Sequence, residues 1–244
     1  MKSLAGWLLF AILFSGLCFL VYVICSHDFR WDAMSGHWRS LRAGWLLTLG
    51  ISFVSLLFSL TGASILAAGR LSPLAPTRWL ATGYVEVIRG TPLLVQIFIG
   101  FYMVAHRLGL ESKFWVGTLV LSCFAAAYLA EIFRAGVESI PRSQWESGRA
   151  IGLTTLQIYR HVVIPQAVRR VLPGTAGQFA NLIKDSSLLY VIGISEFTAR
   201  AREVNSATYA TYEAYLPLAL GYLILTLPIS MICQRLEARF RYEH

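Results

Sequence analysis

Apolar residues run along this chain in long blocks, and the charged residues fall between them. Five stretches contain no Lys, Arg, Asp or Glu: 3–26, 43–69, 90–105, 114–130 and 214–234. About 20 apolar residues suffice for a helix to cross the hydrocarbon of a bilayer. Three of the runs reach that length unaided. The run at 90–105 does so if it extends back through Trp79, and that at 114–130 if it extends past Glu131. A further candidate begins at Pro165. The pattern predicts six membrane helices, at roughly 4–25, 45–68, 80–104, 114–136, 165–185 and 213–234. The first run is longer than the apolar core of a cleaved leader, and no small-x-small site follows it, so it reads as a retained helix.

Composition agrees. Hydrophobic residues make up 56% and charged residues only 14%, against about 25% charged in soluble domains. Cys18, Cys25, Cys123 and Cys233 form no CxxC pair, so neither a zinc site nor a disulfide framework is signalled. With 21 Lys+Arg and 13 Asp+Glu the net charge is +8. An N-terminus inside the cell puts twelve Lys and Arg on the cytoplasmic side and seven outside, which favours that orientation. Six helices then return the C-terminus to the cytoplasm. The basic balance reports membrane topology, because no basic and aromatic surface for nucleic acid is present.

The longest polar stretch, 139–165, falls inside the cell and carries helix signals. Ser143 with Glu146 and Thr154 with Gln157 both fit the capping-box spacing. Gly152 between them suits a left-handed helix end, and Pro141 stiffens the entry. A short helix, a glycine corner and a second short helix read as a docking element. The alternative is an interfacial helix anchored in headgroups by Trp145.

These residues resemble the EAA loop of permease subunits in bacterial ATP-binding-cassette importers. Glu146-Ser147-Gly148, Gly152, Leu153 and Val162-Val163-Ile164-Pro165 repeat its spacing. Four further stretches, Tyr84–Gln96, Ala127–Gly136, Pro165–Ala167 and Leu182–Leu188, resemble the polar amino acid permease family, and the likeness covers about 45–237. Ser147-Gly148 replaces the usual Ala-Ala pair, at about 1 kcal/mol in helix propensity, which a capping Ser143 would offset.

The resemblance implies an all-α integral membrane protein with the type I importer core. An N-terminal helix and loop (1–42) precede that core (43–244). The expected function is to move a polar amino acid, glutamine- or glutamate-like, from periplasm to cytoplasm by alternating access. The rival is a stand-alone ion-coupled carrier, although no inverted repeat is visible. No G-x-x-x-x-G-K-[ST] phosphate loop occurs, so the chain is expected to be no enzyme and to hold no cofactor. ATP and magnesium would sit on two partner ATPase subunits. A second permease subunit, a periplasmic binding protein and the bilayer of the bacterial inner membrane complete the expected partners.

Ser143, Glu146, Ser147, Gly148, Gly152 and Leu153 are the expected ATPase-coupling residues. For substrate, polar groups at membrane depth are the candidates: Gln178, Asn181, Lys184, Asp185, Ser186 and Ser187. Gln178, Asn181 and Asp185 share one helical face; a structural network between helices is the alternative reading. Among relatives that move cationic amino acids, carboxylates occur at positions like Gln178 and Asp185, so the neutral Gln178 favours a neutral or acidic substrate. Pro173, with Gly174 and Gly177, would loosen that helix. Glu86 and Arg89, spaced i, i+3, read as an intrahelical pair or a gate, and Glu131 and Arg134 repeat the spacing. Gly90-Thr91-Pro92 should break helix three into a hinge. Ser55, Ser59, Ala63 and Ala67 form a small-residue stripe for close packing.

Overall fold

A computed structural model describes residues 2–241; the last residues of the expected core, 242–244, lie outside them. The described residues are helical, with no strand. Helix α1 spans Lys2–Cys25, α2 Trp38–Arg70, α3 Ala75–Gly90, α4 Leu93–Phe98, α5 Lys113–Glu138, α6 Arg142–Ala150, α7 Thr155–Ile158, α8 Ile164–Asp185, α9 Phe197–Thr208 and α10 Thr211–Arg241. A wide π turn, Ile99–Ala105, continues α4; another, Tyr159–Val163, joins α7 to α8; a 3-10 segment, Ser186–Ile192, extends α8.

Among the described residues α2, α5 and α10 are long and apolar enough to cross a membrane. Helix α3 and the α4 segment pass the same test together, bent by 108°. Helix α8 has 22 residues, about 33 Å at 1.5 Å per residue. Helix α1 leaves Trp7, Phe14 and Tyr22 exposed. The span expected at 80–104 is thus two segments, broken where Gly90-Thr91-Pro92 was expected to break it. Pro92 has no N–H for the ladder and drives Thr91 to an extended conformation (φ −120°, ψ 145°).

Helices α2 and α5 form the centre. Ser55, Ser59, Ala63 and Ala67 are all buried, and the Ser55 hydroxyl donates to the Thr118 carbonyl at 3.1 Å. The stripe packs α2 within the subunit, because small side chains let the two backbones approach. Ile51, Ile97, Leu121, Leu182 and Leu189 fill the core beside it.

One element was not anticipated. Helix α9 begins at Glu196, whose side chain caps it by accepting from the Thr198 and Ala199 amides at 2.9 and 2.7 Å. The same fully buried carboxylate accepts from Tyr222 of α10 at 3.1 Å and Thr48 of α2 at 3.4 Å. Burial pushes the Glu196 carboxyl above its ordinary value, against the opposing pull of those amides and hydroxyls. This knot ties α2, α9 and α10 at the end of the bundle remote from α6.

Candidate functional site

The loop between α5 and α8 is the most fully determined local structure. Helix α6 ends at Gly152, whose φ of +81° is one that only glycine adopts readily. The Gly152 amide donates to the Arg149 carbonyl at 2.9 Å and the Leu153 amide to Gly148 at 3.0 Å. Those two bonds make a complete glycine-terminated cap. At Thr154 the next helix starts in a reciprocal capping box: the Thr154 amide donates to Gln157 at 2.8 Å, and the Gln157 amide returns to the Thr154 hydroxyl at 3.4 Å.

The first expected box does not form. Helix α6 starts after Pro141, and no side chain caps it. Its first residue is Arg142, so Ser143 is two positions past the cap and Glu146 is out of phase with it. Ser143, Glu146 and Ser147 are instead exposed.

The loop folds back on its own base. A Cβ on Gly148 would stand 2.9 Å from Ile158 Cγ1, so the α6 backbone rests directly on that buried side chain. Trp145 meets Tyr159 edge to face at 4.9 Å, half-buried with Leu153 over Ile140, Ile158 and Val163. Its indole packs against the loop's own base. Packing the inward face leaves two aliphatic side chains outward: Ile151 is 76% and Leu156 77% exposed. They flank the glycine corner and were not singled out from the sequence, although two apolar residues beside a polar turn are a legible signal.

Through the π turn the loop runs without interruption into α8. Gln178 is buried, Asp185 and Ser187 are half-buried, and Asn181 and Lys184 are exposed. Ser186 separates from this group: it is fully buried and donates to the Ile183 carbonyl at 2.8 Å. Pro173 does not loosen the helix. Helix α8 is continuous across it, and its carbonyl accepts from the Cys233 thiol of α10 at 3.1 Å.

The break at Gly90-Thr91-Pro92 forms as expected, and Gln96 seals it. The Gln96 side-chain Nε2 donates to the carbonyls of Ile88 at 2.7 Å and Thr91 at 3.1 Å, satisfying helix-end groups that the proline leaves open. The Glu86–Arg89 pair does not form. Arg89 turns toward Glu131 of α5, 3.6 Å away, with its guanidinium 5.3 Å from the centre of the Tyr128 ring. Glu131 is hydrogen-bonded to Arg70 of α2 and to Arg134. The Glu131–Arg134 pair expected from spacing is therefore present, as part of a hub joining α2, α3 and α5.

Sequence and structure comparisons agree with this architecture. A family model described as "Binding-protein-dependent transport system inner membrane component" matches residues 59–242. The "Probable glutamine ABC transporter permease protein GlnM" of Bacillus subtilis (strain 168) is 37% identical over 197 residues, 80% of this chain and 91% of that protein. The "Glutamine transport system permease protein GlnP" of Escherichia coli (strain K12) is 35% identical over 223 residues, 88% of this chain and 99% of the relative. A chain in a crystal structure of an amino acid ABC transporter with histidines superposes with a TM-score of 0.80 and 31% identity, covering 87% of this chain and all of its own. The chain belongs to the family of binding-protein-dependent transport system inner membrane components, the permease subunits of ATP-binding-cassette importers.

Proposed function

We propose that this permease moves a polar amino acid, glutamine- or glutamate-like, inward across the bacterial inner membrane, driven by ATP hydrolysed on separate subunits. The carrying observation is the loop. A short helix is fixed by a glycine cap and seated on Ile158, from which the chain continues through the π turn into α8, the helix that bears Gln178 and Asp185. Such a unit transmits motion, because packed helices shift as bodies rather than deform.

In this reading Ile151 and Leu156 enter a cleft on an ATPase subunit, with Glu146 and Arg149 at the rim. Two ATPases grip two permease subunits, each through its own loop, and ATP with magnesium stays on the ATPases. Their closure swings the permeases from inward-open to outward-open, and a periplasmic binding protein delivers the substrate. Gln178 and Asp185, on the α8 face, meet the substrate side chain. The N-terminus and the loop are both cytoplasmic.

Crosslinking tests the docking directly. A photoactivatable probe on Ile151→Cys, in a background free of native cysteine, should capture the ATPase subunit and respond to ATP. Capture of lipid alone would refute it.

A further inference from the structure

Two opposite charges on α3 are left without each other. Glu86 is exposed and, among the described residues, has no hydrogen-bond or ion-pair partner. Arg89 has 37% of its side chain exposed and, among the described residues, donates no hydrogen bond; Glu131, at 3.6 Å, is its ion-pair neighbour. That carboxylate is already hydrogen-bonded to Arg70 and Arg134, so Arg89 keeps free donors.

Both charges lie at depth. Val85 and Ile88 pack in one cluster with Leu60 and Ala63 of α2. Ala63 is seven residues before the end of α2 at Arg70, about 10 Å at 1.5 Å per residue. Charges in the inner half of a bilayer are costly and face a polar passage or a partner. One residue past Arg89 the helix ends, and the chain turns by 108° into the next segment. The charges sum to zero: Arg70, Arg89 and Arg134 against Glu131, Glu138 and Glu86. A neutral ligand that carries both signs suits such a site, whereas a simple anion does not.

We infer that Glu86 and Arg89 form a station for the zwitterionic backbone of the amino acid, with Glu86 taking the ammonium and Arg89 the carboxylate. Side chains at i and i+3 are neighbours on a helix, and an amino acid carries its two charges on a single carbon. The station reads the feature common to all α-amino acids, whereas the α8 face reads the side chain. It rests on the proposed amino acid transport and deepens it.

The test uses the purified permease–ATPase complex in nanodiscs, without binding protein. Tritiated L-glutamine is competed with N-acetyl-L-glutamine, which lacks the ammonium, and with L-glutaminamide, which lacks the carboxylate. Wild type should prefer glutamine to each by tenfold or more. Glu86→Gln should lose the preference over N-acetylglutamine and keep that over glutaminamide; Arg89→Gln should do the opposite. Glu86→Asp and Arg89→Lys, which retain charge, should restore part of each preference. Equal weakening of all three ligands, unchanged binding in both variants, or loss of the assembled complex in both would overturn the assignment. ATP-driven uptake of glutamine or glutamate by wild type reports the parent reading separately. Uptake that is lost in Asp185→Asn but unaffected in Glu86→Gln and Arg89→Gln would leave that reading standing and remove this one.

Discussion

Replacing Gly152 tests the coupling loop through backbone strain alone. Its φ is +81°, and nothing lies within 4 Å of where a Cβ would stand, so a substituted side chain meets no clash. The penalty is that of a left-handed L-residue, about 1–2 kcal/mol. Asn belongs at the low end because its side chain hydrogen-bonds locally, Ala in the middle and Val at the top because it is β-branched. If the corner relaxes to an ordinary helical conformation, the Arg149 and Gly148 cap bonds are lost. Ile151 and Leu156 then leave their relative positions. About 2 kcal/mol corresponds to roughly a 30-fold fall in the docking-competent population. Gly152→Val should therefore reach the membrane at wild-type levels but lose co-purified ATPase or uncouple uptake. Gly152→Ala should be intermediate, and Gly152→Asn within about threefold of wild type. Normal uptake with normal complex yield in Gly152→Val would refute the reasoning, as would an Asn variant as impaired as Val.

Three other predictions follow from the same account. In a background stripped of native cysteine, Ser35→Cys should label with an impermeant thiol reagent in whole cells and Ser147→Cys only after lysis; the reverse pattern would invert the orientation. Asp185→Asn should lower uptake sharply and spare basal ATP hydrolysis, while Gln178→Glu should shift preference toward cationic amino acids; unchanged transport in both would make this face structural. The raised Glu196 carboxyl stabilises the fold fully below the ordinary carboxylate pKa, and that contribution is lost as pH rises through the folded-state value. Thermal stability of wild type should therefore decline across that window by more than that of Glu196→Gln, and parallel profiles would contradict the assignment.

Local signals carried well where one segment decides the outcome. Thr154 and Gln157 form their box because a helix does begin beside them, and Gly152 turns left because the next helix starts two residues later. Ser143 and Glu146 carry the same spacing and fail, because spacing alone does not say where the helix begins, and Pro141 begins it too early. Pro92 announces a break, but the 108° turn depends on how α4 packs beyond it. Arg89 chooses Glu131 over Glu86, which only the meeting of α3 with α5 can settle. Glu196 lies outside every motif, yet three segments distant in sequence converge on its carboxylate.

The central claim is that this chain is the membrane path of an ATP-driven importer, worked through the loop at Gly152. Its most direct test is uptake of labelled glutamine and glutamate by proteoliposomes holding the permease with its ATPase and binding protein. The account predicts uptake that requires ATP on the loop side, persists when ion gradients are collapsed and fails in Gly152→Val. Uptake that runs on an ion gradient without ATP would contradict it.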